Sequence, residues 1–459
     1  MSTAPDPGQD AARGPVRRTS PVSDVEPGSA VDDARPMDPA HGTVARPRLV
    51  RDRLTVGLYT PFAVWGWLLY SFNPSVPLLA DELGITAAQA GLHGTAMAVG
   101  GLVAAPLTPR AVRGLGRRGA IVAAASVVAV GVVGLLLGPT LPWTLTGMFV
   151  TAAGGNVLIA ATQVGLAQHA GRAASAAITE ANGVGSSIGL VGPLAVGACV
   201  TLGWGWRPGV AVTVLLALVA AVVIARLPAS RGLPALRGRS THDPVTSDDV
   251  TSSAAATGPA TAAPVAAVSR HRLLRAAPLF LATIVAAIAL ENATTYWATD
   301  LVRGQTGAGA GIATATTAGL VAGMSAMRFV VGPLSLRVQA AHLLAASFGI
   351  AVVGWAVLWT ATDPGVALAG LVVAGFGYGA QYPLSVALLL AASPGRGDRA
   401  QAHATLAGAL AIGVAPFLLG ALSDAFGTHS AFLLVPVVAV AGGVVALLGG
   451  RAVRRDARA

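Results

Sequence analysis

From residue 54 onward the chain alternates long apolar stretches with short polar ones. Twelve stretches are long enough to cross ~30 Å of hydrocarbon as helices rising ~1.5 Å per residue. They cover residues 54–79, 86–108, 119–139, 142–168, 174–202, 206–227, 275–300, 308–335, 339–361, 364–391, 400–423 and 428–450. Residues 1–52 are polar, proline-rich and mixed in charge. They cannot bury enough apolar surface to fold, so a disordered tail is expected. Residues 228–273 are low-complexity Ala, Pro, Ser and Thr and read as a flexible linker. The pattern therefore predicts a six-helix bundle over 53–227, the linker, a second bundle over 274–450 and a basic tail over 451–459.

The two bundles repeat in sequence. "LTGMFVTAAGG" from Leu145 lies over "LAGLVVAGFGY" from Leu368, and the same offset lays Gly185, Pro193 and Gly197 over Gly408, Pro416 and Gly420. A slightly larger offset lays "PLTPR" from Pro106 over "PLSLR" from Pro333. Parallel repeats related by an axis along the membrane normal are a transporter architecture with a site between the halves.

Composition sharpens this picture. The chain has 459 residues, 54% hydrophobic and only 11% charged, against roughly 25% charged in soluble domains. All 30 basic residues are arginine. Without lysine there is no Walker-type phosphate loop and no Schiff-base lysine, so ATP hydrolysis by that route is excluded. The net charge of +10 does not point to nucleic acid, because the arginines cluster in short turns between apolar stretches. One set of turns holds Arg46 to Arg53, Arg110 to Arg118, Arg172, the Arg226–Arg275 cluster, Arg337, Arg396, Arg399 and "RAVRRDAR". The other keeps Arg207 and Arg303 beside Asp81, Glu82, Asp363 and Asp424. The positive-inside rule then puts both termini in the cytoplasm of a bacterial cell, with the chain in its inner membrane. Abundant Ala, Gly, Val and Pro fit a GC-rich bacterial genome. The N-terminus has no apolar core and is not a signal peptide. Cys199 is the single cysteine, so no internal disulfide can form.

Several local motifs carry a family resemblance. "VRGLGRRGA" follows the second stretch, "GLVGPLAVG" lies in the fifth, and "GWGWRPG" follows it. "ALENATTYWATDL", "GMSAMRFVVGPLSLR" and "GFGYGAQYPL" lie in the seventh, eighth and tenth. Together they resemble the major facilitator superfamily over residues 54 to 450. The basic loop departs from the family pattern, since "PLTPR" supplies no aspartate. The resemblance implies an all-α membrane protein with twelve transmembrane helices in two pseudo-symmetric six-helix bundles around a central cavity. It implies secondary active transport of a small organic solute by alternating access, with an ion gradient, most plausibly protons, as energy source and no cofactor. The Gly-Pro pattern of the fifth stretch favours export, and the permease-like motifs favour uptake. The expected partners are a small-molecule substrate, protons and membrane lipid, with a monomeric chain. The reading from another class is a membrane sensor that transports nothing, although tail and linker hold no recognisable signalling domain.

Away from the ends of the stretches only Glu180, Glu291 and Arg328 are ionic. A charge at the bilayer centre costs at least ~2.5–3.5 kcal/mol, so each should face a partner or water. Glu291, Asn292, Thr295, Tyr296 and Thr299 fall within an arc of about 140° on one helix face, with Trp297 elsewhere. Such a stripe should line a hydrated cavity, where a carboxylate that takes and releases a proton would couple transport to the gradient. The competing reading makes Glu291 a hydrogen-bonding anchor between helices. Because the family sets its fifth and eighth helices face to face, Glu180 and Arg328 are expected to pair across the bundles as a cytoplasmic gate when the cavity faces outward, and to part when the halves rock. The alternative satisfies each charge within its own half. His403 overlays Glu180 in the repeat and is a candidate gate partner or simply a solvated histidine. Asn156 and Gln163 share one face of the fourth stretch, and Tyr378, Gln381, Tyr382 and Ser385 one face of the tenth. Amides and phenols of this kind orient a ligand or glue helices together. "YSFNPSVP", Tyr70 to Pro77, should break regular helix and contribute to the outer vestibule. "GFGYG", "GAGAG" and "NGVGSSIG" mimic dinucleotide fingerprints but lie in apolar stretches, where close helix packing explains them. Neither a metal-ligand cluster nor an HExxH pattern occurs, so an enzyme is not expected.

Overall fold

A backbone in lipid must satisfy its own polar groups, and a helix does so within one segment. The computed structural model describes residues 49–228, 233, 270–335, 337–393 and 396–457, and every regular element among them is helical. The first span is broken into α1 (Arg53–Gly57), α2 (Thr60–Phe72) and α3 (Val76–Leu83). Pro74 and Pro77, which lack an N–H to donate, sit at the 3-10 turn Asn73–Ser75 and the start of α3. Thr86 then caps α4 (Ala87–Leu137) in a reciprocal box with Gln89. This long helix contains two expected spans, joined at Gly116, whose φ of 69° only glycine adopts readily. The first half closes with α5 (Leu141–Ala170), α6 (Ala174–Gly189), α7 (Val191–Thr201) and α8 (Arg207–Arg226).

The second half comprises α9 (Arg270–Thr306), α10 (Ala310–Thr316), α11 (Ala318–Ser335), α12 (Ala340–Trp359), α13 (Pro364–Ala391), α14 (Gly397–Phe426), α15 (Thr428–Ala431) and α16 (Leu434–Ala457). Ten helices among the described residues are long and apolar enough to cross a membrane. The kinked α4 counts once among them, and the pieces of the first span are each too short to count.

Packing repeats with the sequence. Where α4 crosses α5, a Cβ at Gly131 would strike Thr151 and one at Gly147 would strike Leu135. At the same offset α12 crosses α13, with Gly354 against Ala374 and Gly370 against Leu358. The absence of side chains lets these backbones approach closely, the usual device where lipid gives no hydrophobic drive between helices. Pro47–Ala459 forms a single compact unit in which α4 packs along α14 and α7 along α10, so the halves touch through these pairs.

The segment boundaries differ from expectation in three places. Helix α9 starts at Arg270, inside the expected linker, and α16 continues through the expected basic tail to Ala457. The last residues of the expected 1–52 tail are tied down. Asp52 caps α1 by accepting from the Thr55 N–H at 2.8 Å, and it meets His169 Nε2 at 2.9 Å. The rest of that tail, and nearly all of the linker, lies outside the described residues.

Candidate functional site

Four polar side chains meet where the halves face each other. Tyr70 sits on the last turn of α2, just before the proline-broken turn. Its ring lies over Gly189 at the end of α6, where a Cβ would meet Tyr70 Cδ2 at 2.5 Å. That glycine therefore fixes where the ring can lie. The Tyr70 hydroxyl donates to Glu291 Oε1 of α9 at 3.4 Å, a long bond between the two halves. Arg328 of α11 donates from Nη1 to Ser186 Oγ of α6 at 2.7 Å, also between halves. Ser186 is buried, whereas Arg328 is exposed although its guanidinium reaches the opposite bundle. Glu291 and Arg328 attract one another without forming a direct ion pair, and Tyr378 and Tyr382 of α13 lie in electrostatic range of Glu291.

At one end the halves are clamped. Both carboxylate oxygens of Asp424, on α14, accept from the free N–H groups of Ala87 and Ala88 at the start of α4, each at 2.8 Å. A helix N-terminus is a natural anion site, and here the other half fills it. Arg303 Nη1 donates to Asp81 Oδ2 at 2.7 Å, and Thr95 Oγ1 donates to the Gly413 carbonyl at 2.5 Å. Gly91 lies against Pro416 and Phe417, and Gly197 against Gly311, so nearly bare backbones meet. At the opposite end, near the described termini, the polar ties given by the structure stay inside the first half. Arg51 grips Glu180 with two bonds of 2.6 and 2.8 Å. The hydrogen bond and charge of Glu180 hold the Arg51 guanidinium above its ordinary pKa.

The expected Glu180–Arg328 pair is not formed in this structure. Glu180 is held by Arg51, a residue of the expected tail. Arg328 reaches Ser186 instead, six positions farther along α6, or roughly 9 Å deeper at ~1.5 Å per residue. His403 is exposed on α14.

The other candidates divide by access. Asn292 and Thr295 bond back to their own helix, at Ile288 O (2.9 Å) and Glu291 O (2.8 Å). Asn156 does the same to Ala152 O at 2.8 Å and, like Gln163, is half-buried. Tyr296 is fully buried and its hydroxyl has no partner in the protein. Tyr378 is buried and shares a 3.0 Å bond with Thr294. Gln381 is fully buried with both amide atoms unpartnered, whereas Tyr382, one position on, is half-buried. Tyr70 and Ser186 are the site residues that sequence reasoning missed. The one signal for Tyr70 was its place just before the proline break.

Two cavities lie elsewhere, on the flank of the first half. One of about 500 Å³ is lined by Val130, Thr140, Trp143 and Val150, and one of about 450 Å³ by Leu137, Val214 and Leu218. Neither contains a charged side chain.

The repeat, the helical spans and the charged contacts between halves now meet a family match: the model described as Major Facilitator Superfamily fits residues 62–299 and 279–458. The chain belongs to the major facilitator superfamily. The superfamily consists of transporters, and the chain is a multi-pass membrane protein. Among solved structures this superfamily member is similar to a bacterial homologue of the human lysosomal transporter Spinster, inward-facing and unoccupied. The TM-score is 0.68 at 16% identity, covering 88% of this chain and 97% of that one. It is similar to the nucleoside transporter NupG, with TM-score 0.68, 11% identity and coverage of 86% and 98%. A D-xylose-proton symporter gives TM-score 0.65 at 15% identity, with coverage of 86% and 96%. At these identities the likeness shows the fold alone. A search of curated proteins gave no match.

Proposed function

We propose that the protein moves a small organic solute across a bacterial cell membrane by alternating access, driven by protons that Glu291 carries. The carrying observation is the pair of contacts between halves at one level, Tyr70 to Glu291 and Arg328 to Ser186. Each joins an ionic group of the second half to a neutral hydroxyl of the first. Rocking the halves must break both, so the charge state of Glu291 and the position of the halves depend on each other. One of the similar folds is described as a proton symporter, which accords with this reading. With the arginine-rich turns and both termini in the cytoplasm, the clamped end faces outward and the solute enters or leaves this conformation from the cytoplasm. The half-buried Asn156, Gln163, Asn292 and Tyr382 are the better placed solute contacts. Tyr296, Tyr378 and Gln381 are enclosed in this conformation and would contact solute only after the halves move.

Glu291→Gln in proteoliposomes tests the coupling role. Gradient-driven accumulation should vanish while solute exchange persists. Unchanged gradient-driven transport would remove Glu291 from the coupling.

A further inference from the structure

Arg328 presents a planar fork of five N–H donors and stays charged. The structure gives one of them to a neutral hydroxyl, Ser186 Oγ, at 2.7 Å, and sets the guanidinium beside Tyr70. Glu291, the nearby carboxylate, takes its one hydrogen bond from Tyr70 at 3.4 Å rather than from the arginine. A purely structural pair of opposite charges would close directly, because their mutual attraction is largest at contact. Here cation and anion are held apart by a tyrosine.

We infer, on the basis of the transport reading above, that this site binds an organic monocarboxylate, gripped by the Arg328 fork when Glu291 is protonated. Charge balance supplies the reason. With Glu291 ionised, Arg328 and Glu291 cancel, and an added anion would leave one uncompensated negative charge between the halves. With Glu291 protonated, Arg328 is uncompensated and the anion restores neutrality. The groups facing Glu291 are Tyr70 from α2, Arg328 from α11, and Tyr378 and Tyr382 from α13, so no second carboxylate or histidine competes for that proton among the described residues. Carboxylate geometry matches the fork bidentately. Phe329, next to Arg328 and exposed, and the half-buried Tyr382 offer apolar surface for the body of the ligand. An aromatic or short aliphatic acid fits this better than a sugar, which would need many donors and acceptors.

The test uses the purified full-length protein, with thermal unfolding read by tryptophan fluorescence. Benzoate and hexanoate are each compared with benzamide and hexanamide. A ligand of the folded state raises the melting temperature by mass action. At about pH 6 the acids should raise it by several degrees and the amides should not; at about pH 8 the shift should shrink in the wild type but not in Glu291→Gln. Arg328→Gln should abolish the response and Arg328→Lys should keep part of it, each variant first shown to melt cooperatively and elute as the wild type does. Amides that match the acids, a response retained in Arg328→Gln, or no response to either acid overturns the inference. The two readings fail separately. Acid binding without counterflow in proteoliposomes removes transport and keeps the site, whereas counterflow of another solute without acid binding does the reverse.

Discussion

The two ends of the contact between the halves are built differently. At the end bearing Asp81, Arg303 and Asp424, ties run from one half to the other: a carboxylate on a foreign helix terminus, an ion pair, and glycine-mediated backbone contacts. At the end near the described termini, Arg51, Asp52, Glu180 and His169 tie the first half to itself. The difference teaches where motion is possible. A tie within one half moves with it as a rigid body, and a tie between halves must break. Glu291 and Arg328 lie between the two regimes, where one long bond and one bond to a neutral hydroxyl can be exchanged at low cost.

The largest expected effect comes from making the clamp permanent. Thr95 and Gly413 already touch, and a Cβ on Gly413 would lie 3.6 Å from Thr95 Cα, within reach of a disulfide. Thr95→Cys with Gly413→Cys, in a Cys199→Ser background, should abolish counterflow under oxidant and regain it under reductant. Persistent transport with the crosslink formed would show that this end does not open. Next is Gly311→Leu. Its side chain would meet Thr201 Oγ1 and the Gly197 carbonyl, and overpacking of this kind costs ~1–3 kcal/mol. The halves should separate at that end, so labelling of a cysteine placed in the cleft should rise severalfold. Labelling no faster than in the parent would mean that the contact is not what holds the end shut.

Much of this architecture was legible in the sequence, because lipid leaves few choices. Long apolar stretches must be helices, and the offset that aligned Leu145 with Leu368 also aligns Gly131 with Gly354 in the packing. Glu291 stood out as a carboxylate inside an apolar stretch and does lie between the halves. What stayed hidden depends on partners distant in sequence. Tyr70 and Ser186 are ordinary helix residues until Glu291 and Arg328 arrive beside them. Asp424 looked like a loop charge, since nothing local reveals that the start of α4 lies against it. The partner of Glu180 stayed hidden for a related reason: Arg51 belongs to a segment whose composition reads as unfolded, yet its fork reaches back and captures the carboxylate.

A smaller shift is expected from Asp424→Ala. It leaves two N–H groups at the start of α4 without their acceptor while Thr86 still caps the helix. Loss of such a cap costs ~1 kcal/mol, about a fivefold change in population. Cleft labelling should rise by that factor, less than in Gly311→Leu. Equal labelling in Asp424→Ala and the parent would make the cap incidental.

Asp52→Ala should have the smallest effect and sharpens the contrast from the other side. Burial opposes ionisation of Asp52, but its bonds from Thr55 and its pairing with His169 outweigh that and hold its carboxyl below the usual carboxylate range. A carboxylate depressed in the folded state adds stability above its unfolded pKa of ~3.9, and loses it as pH falls through the folded value. The variant should therefore melt slightly earlier than the wild type near neutral pH, by no more than ~1 kcal/mol for an N-cap, with the gap closing in acid. Cleft labelling should not change, because this tie never leaves the first half. A change in labelling with Asp52→Ala would mean that the end near the termini also controls the separation of the halves, and the division between the two ends would no longer stand.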